Sequence, residues 1–198
     1  MEAARANLAS SIVCPQIRVR VSRITQCYAV STMTANEVKQ LLQLQPLAIE
    51  GGFFRETYRS RWNVAAEYLP DGTRGPRSIG TAIYYMITPE TFSPLHRLPG
   101  SEIFHFYLGD PAIMLQLLPD GSSQTITLGS DLAGGQQPQV VVRGGIWQGC
   151  KLAPGGNFAL LGTTMSPGFD YADYENGDRE QLIKQYPGAA EFIKEYTR

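Results

Sequence analysis

From Gly52 onward apolar and polar residues alternate in short runs, the period of a strand that buries one face. Phe54, Glu56 and Tyr58 share one face of the first run, and Phe53, Arg55, Thr57 and Arg59 share the other. Further runs span 79–87, 92–97, 102–108, 112–118, 124–128, 140–142, 146–152 and 158–164, each bounded by turn residues. Asp120-Gly121 is a hairpin signal between two of them, and Pro99-Gly100 is a turn between His96 and Glu102. Helical spacing is confined to the ends. Thr34, with Glu37 three residues on, predicts a capping box ahead of Val38, Leu41 and Leu42. Two short helices are predicted over 179–186 and 189–196, interrupted at Pro187-Gly188. The predicted class is all-β, a sandwich or barrel with short terminal helices, and not a βαβ sheet.

Composition narrows this picture. Twenty glycines and thirteen prolines suit many strands joined by tight turns. A net charge of −1 carries no basic footprint for nucleic acid, and no run approaches the ~20 apolar residues of a membrane helix. Cys14, Cys27 and Cys150 form no CxxC pair and no regular framework, which favours a reducing, cytoplasmic compartment. Residues 1–32 differ from the rest: they hold Arg5, Arg18, Arg20 and Arg23 against the single acid Glu2, with no sustained apolar stretch. That composition suits a disordered leader, either an organellar transit peptide or an upstream start ahead of Met33. The expected organisation is this leader followed by one domain over 33–198.

Several common sites have no counterpart: there is no GxGxxG, P-loop, HExxH or GxSxG. The chain has two histidines, His96 and His105, close together and flanking Glu102. Histidine titrates near neutrality and is the usual acid–base group or metal ligand. Strand parity pairs His96 with Glu102, placed on neighbouring strands by the Pro99-Gly100 turn; Glu102, Phe104 and Phe106 share a face that His105 does not. The plain alternative is a hydrogen-bonded structural His96 and an ion pair between Glu102 and Arg97.

These residues resemble a known family. His96, Glu102 and Gly109 follow the first cupin motif, His-x-His-x3-Glu-x6-Gly, with Leu98 at the second histidine position. Arg143 to Gln148 resembles the second motif, Pro-x-Gly-x-x-His, with Arg143 in place of proline and Gln148 in place of histidine. The stretches 50–59, 96–111, 145–148 and 167–171 resemble the DUF985 (cupin-5) branch. The resemblance implies a double-stranded β-helix (jelly roll), a homodimer and one pocket inside the barrel. It also invites comparison with nucleotide-sugar epimerases of the same superfamily.

The expected function is therefore a small-molecule pocket for a sugar-like or carboxylate ligand. In the enzyme reading, an epimerase or isomerase, His96 and Glu102 form the acid–base pair and Tyr58 is the opposing acid, with Tyr84 and Tyr107 as other candidates. Arg55 and Arg59 would hold the substrate, as could Arg77 and Arg97. Phe104, Phe106, Trp147 and Gln148 would complete the wall. No cofactor is favoured. A divalent metal, if bound, would use His96, Glu102 and Gln148, a poor set because an amide oxygen is a weak ligand beside imidazole. The alternative from a different class is a module that binds its ligand without turnover.

Overall fold

The computed structural model describes residues 33–198; the expected leader lies outside the described residues. Thr34 caps helix α1 (Ala35–Leu41): its Oγ1 accepts from the Glu37 amide, and the Glu37 carboxylate accepts from the Thr34 amide at 2.7 Å. The expected capping box is present. Strands β1 (Gln45–Pro46), β2 (Phe53–Arg59), β3 (Asn63–Val64), β4 (Arg77–Ser78), β5 (Thr81–Ile87) and β6 (Ser93–Arg97) follow. Then come β7 (Glu102–Gly109), β8 (Ala112–Leu117), β9 (Ser123–Leu128), β10 (Gln139–Val142), β11 (Trp147–Leu152), β12 (Ala159–Met165) and β13 (Glu175–Asn176). Helices α2 (Arg179–Gln185) and α3 (Ala190–Glu195) end the chain, close to their predicted spans.

The strands form two main antiparallel sheets. One has the order β1-β2-β5-β12-β7-β10, the other β13-β6-β11-β8-β9, and β3 pairs with β4 apart from both. Alternation explains how each sheet buries two faces. Tyr85, Ile87, Phe104, Val140, Val142 and Leu161 of the larger sheet meet Met114, Leu128 and Cys150 of the smaller one in the interior core. On the outer face of the larger sheet, Met86, Phe158 and Leu160 pack with Val38 of α1. On the outer face of the smaller sheet, Leu95, Leu115, Leu117 and Trp147 pack with Leu182, Ile193 and Tyr196 from the C-terminal helices and the residue beyond them. Each such side chain contributes about 1.5–3 kcal/mol on full burial, so both helical ends secure the sandwich.

Two turn expectations had different outcomes. Asp120-Gly121 joins β8 to β9 in the predicted hairpin, with Gly121 at φ 86° and Asp120 accepting from the Ser122 amide at 2.9 Å. Pro99-Gly100 does not close a hairpin. β6 pairs with β11 and β13, whereas β7 pairs with β10 and β12, so the turn carries the chain from one sheet to the other. The Leu98 carbonyl accepts from the Gly145 amide at 2.8 Å during this crossing. His96 and Glu102 are thus not on neighbouring strands; they approach across the sandwich.

Candidate functional site

Three buried polar side chains meet between the sheets. His96 on β6 and Gln148 on β11 are register partners in the smaller sheet, and Glu102 opens β7 in the larger one. Gln148 Nε2 donates to Glu102 Oε2 at 2.5 Å and lies 3.4 Å from His96 Nε2. His96 Nδ1 is 2.8 Å from the Pro94 carbonyl. A carbonyl only accepts, so the proton sits on Nδ1 and leaves Nε2 to accept from the amide. Gln148 therefore spends both N–H groups, one on each partner. The Tyr174 ring stacks on His96 with centroids 4.9 Å apart and an interplanar angle of 20°.

Burial governs the charge states. Desolvation pushes His96 down to about 4, against the lift from its Pro94 hydrogen bond, so the imidazole is neutral at physiological pH. Desolvation pushes Glu102 up to about 7, while hydrogen bonds from Gln148 and Thr163 pull it back. Glu50 is pushed up to about 8, first by desolvation and then by the Glu102 charge. Among the described residues neither Glu50 nor Glu102 forms an ion pair.

Glu102 and Glu50 line one cavity of about 170 Å³ together with Leu47, Phe54, Ile83, Thr163 and Met165. Glu56, Arg59, Thr81, Phe169 and Tyr171 complete the wall. Arg59 chelates Glu56, with nitrogen–oxygen distances of 2.7 to 3.2 Å, and its Nη1 donates to the Phe169 carbonyl at 3.1 Å. Phe169 and Tyr171 meet edge to face at 5.0 Å. The segment carrying them is tied down by a buried ion pair, Arg77 to Asp173 at 2.6 and 2.8 Å.

The predicted residues divide across this geometry. The structure brings His96, Glu102 and Gln148 together and sets Arg59 in the cavity wall. It does not bring Tyr58 there. A bulge between Glu56 and Tyr58 inserts one residue into β2, so Arg59 takes the inward position that regular alternation assigns to Tyr58. Tyr58 is 57% exposed on the outer face. Arg55 also points outward, stacked over Tyr84 at 5.6 Å. Trp147 is buried beneath the C-terminal helices with Arg97 over its ring at 4.5 Å, on the opposite face of β11 from Gln148. Phe104 and Phe106 face inward but belong to the packed interior core, outside the cavity wall. Tyr84 and Tyr107 meet edge to face on the outer face, and His105 stacks beside Tyr107 with its Nε2 3.2 Å from Thr164 Oγ1.

Sequence reasoning missed Glu50, Thr163, Tyr171 and Tyr174. A signal existed for Glu50: it precedes Gly51-Gly52, both at positive φ (77° and 71°), which turn the chain where a side chain would collide with backbone. Thr163 and Tyr174 carried no local signal, because their roles come from cross-sheet contacts.

Residues 36–176 match the family model described as Cupin superfamily (DUF985). The chain belongs to this cupin family. It is 30% identical over 149 residues to the uncharacterized protein YML079W of Saccharomyces cerevisiae, covering 70% of this chain and 73% of the yeast protein. Among solved structures it is similar to protein SO0799 from Shewanella oneidensis, at 31% identity and a TM-score of 0.73, over 84% of this chain and 98% of that one. A hypothetical protein from Leishmania major matches at 31% identity and a TM-score of 0.76, over 83% and 99%.

The cupin metal positions are poorly furnished in this chain. Leu98, at the second histidine position of the first motif, is buried and cannot ligate. Gln148 holds both His96 Nε2 and Glu102 with its amide nitrogen, which is a donor and not a ligand. Among the described residues no group of three or more His, Cys, Asp or Glu could hold a metal ion. The donor set does not fit a tightly held metal. Among the described residues, too, no helix is long and apolar enough to cross a membrane.

Proposed function

We propose that this cupin binds a small, neutral, hydroxylated molecule of sugar-like size in the cavity on the inner face of its larger sheet. Glu102 moves a proton on that molecule, as in an epimerase or isomerase. The observation that carries the reading is the setting of Glu102. It lines a cavity, is aimed by the Gln148 amide, and exchanges its proton near pH 7 because burial opposes its charge. His96 acts through Gln148 and positions the carboxylate. It replaces the direct His–carboxylate pair expected from the sequence.

Charge and size define the ligand class. Three glutamates and one arginine line the cavity, and that arginine is already neutralised by Glu56. An anionic ligand would meet the unpaired Glu102 carboxylate, which favours the sugar-like option over the carboxylate one. A cavity of about 170 Å³ is smaller than the ~300–1,000 Å³ typical of pockets for drug-sized molecules.

The test is a panel of aldoses and ketoses incubated with the protein in D2O and followed by proton NMR, with thermal-shift measurements in parallel. Deuterium entering a carbon position of a ligand, and lost in Glu102→Gln, supports proton transfer. A thermal shift without exchange would make this a binding module instead. A panel that produces neither effect overturns the proposal.

A further inference from the structure

We propose that Glu50 is a second catalytic carboxyl of this site, paired with Glu102 as acid and base on a small α-hydroxycarbonyl compound such as an aldose or ketose. The inference rests on the preceding reading of the cavity and extends it to a specific reaction.

The geometry of Glu50 has no structural explanation of its own. Its side chain lines the same cavity as Glu102, yet it has no hydrogen bond or ion pair with any described residue. Glu50 is half-buried at the cavity wall, so its carboxyl is both partly desolvated and within reach of a bound molecule. The backbone around it is tightly held. Gly51 N donates to the Leu47 carbonyl at 2.7 Å, Leu47 N donates to the Gly52 carbonyl at 3.0 Å, and Tyr85 OH donates to the Gly51 carbonyl at 3.2 Å. A Cβ on Gly52 would lie 2.6 Å from the Met86 carbonyl oxygen, so this turn is closed to other residues. The chain is thereby constrained in the turn that delivers Glu50 into the cavity.

The surroundings separate the two carboxyls. Glu102 receives hydrogen bonds from Gln148 and Thr163, which favour its ionised form. Glu50 receives none and feels the Glu102 charge, so it keeps its proton to higher pH. The other groups near the pair are the phenols of Tyr85, Tyr171 and Tyr174, the thiol of Cys150, the neutral His96 behind Gln148, the Glu56–Arg59 pair and Arg198. The Tyr174 hydroxyl is buried without a partner. Near neutrality one carboxyl is therefore a base while its neighbour is an acid.

That division matches aldose–ketose interconversion without any co-reactant. Glu102 carboxylate takes the proton from C2, the C–H electron pair forms the C1–C2 double bond, and the carbonyl oxygen at C1 takes the proton of Glu50. The product of this half is a neutral enediol. In the second half Glu50 carboxylate takes the proton from the C2 hydroxyl, that O–H electron pair forms the new carbonyl at C2, and Glu102 returns its proton to C1. Both carboxyls regain their starting states.

The experiment uses the full chain and the aldose–ketose panel, with Glu50→Gln, Glu50→Asp and Glu102→Gln beside the wild type. Carboxyl titration by carbon NMR without substrate is read in parallel. The wild type should show a bell-shaped pH–rate profile, and Glu50→Gln should lose about 100-fold or more in turnover together with the alkaline limb, with thermal stability retained. Glu50→Asp should keep that limb. In Glu102→Gln the Glu50 titration should move to lower pH as the facing charge disappears. Wild-type turnover left unimpaired in Glu50→Gln, or a Glu50 titration unmoved in Glu102→Gln, would overturn the pair while sparing the cavity reading. Absence of wild-type turnover across the panel overturns the pair, and absence of any thermal shift as well overturns the cavity reading.

Discussion

Gln148 stands between His96 and Glu102: its amide nitrogen donates to the carboxylate at 2.5 Å and lies 3.4 Å from the imidazole nitrogen. One side chain thus determines the orientation of both. Replacing it with leucine leaves the His96 Nε2 acceptor without a donor and removes one of the two hydrogen bonds to Glu102. Gln148→Leu should lose about 1–3 kcal/mol of stability in urea denaturation and move the Glu102 titration further upward. Unchanged stability together with an unchanged Glu102 titration would contradict this coupling.

His96 has a folded-state pKa of about 4, below its ordinary 6.5, so the unfolded chain binds the extra proton between these values. Its contribution is present above pH 6.5 and is lost as pH falls toward 4. Glu102 and Glu50 act in the opposite sense: raised to about 7 and about 8, they favour folding most below pH 4.5 and lose that contribution as pH rises. The opposing slopes partly cancel in the wild type. Denaturation of His96→Asn from pH 4.5 to 6.5 should therefore show stability falling more steeply with pH, by up to about 1.4 kcal/mol per pH unit relative to wild type. Parallel curves would mean that His96 is not held neutral by burial.

The bulge in β2 is testable through two neighbouring residues. Any ligand recovered from the sugar panel should lose about tenfold or more in affinity in Arg59→Ala, which opens the cavity wall beside Glu56. Tyr58→Phe, on the outer face, should bind it as the wild type does. Isothermal titration separates the two, and the reverse ranking would restore regular alternation.

Arg77 and Asp173 are both nearly buried, at 5% and 8% side-chain exposure, and their ion pair anchors the segment that brings Phe169 and Tyr171 to the cavity and Tyr174 to His96. Arg77→Ala leaves Asp173 unpaired and should cost about 3–5 kcal/mol. Asp173→Asn in the same background should recover part of it, because the stranded charge is gone. A double-mutant cycle from chemical denaturation reads the difference; additive losses would show that the pair is uncoupled.

Local pattern did not show the two-residue strands β1, β3, β4 and β13, but it was enough to read the longer strands, the α1 capping box, the Asp120-Gly121 hairpin and the two C-terminal helices. Each is written in neighbouring residues, by alternation, by a cap three residues ahead of its partner, or by a glycine at positive φ. His96, Glu102 and Gln148 were legible as a cluster because they occupy the cupin motif positions. The rest of the site was not. Strand periodicity assigns residues to alternate faces but does not say which sheet a strand joins, so β6 and β7 read as a hairpin although they lie in opposite sheets. One inserted residue in β2 reverses every later face assignment, which exchanged Tyr58 for Arg59. Glu50 and Tyr174 reach the site from distant parts of the chain, and their pKa values depend on how much water the closed sandwich excludes. The sequence by itself therefore determined the long strands and the cluster of cupin motif positions; only the tertiary structure decided which side chains share a cavity and which hold a proton there, because desolvation is a property of the assembled interior.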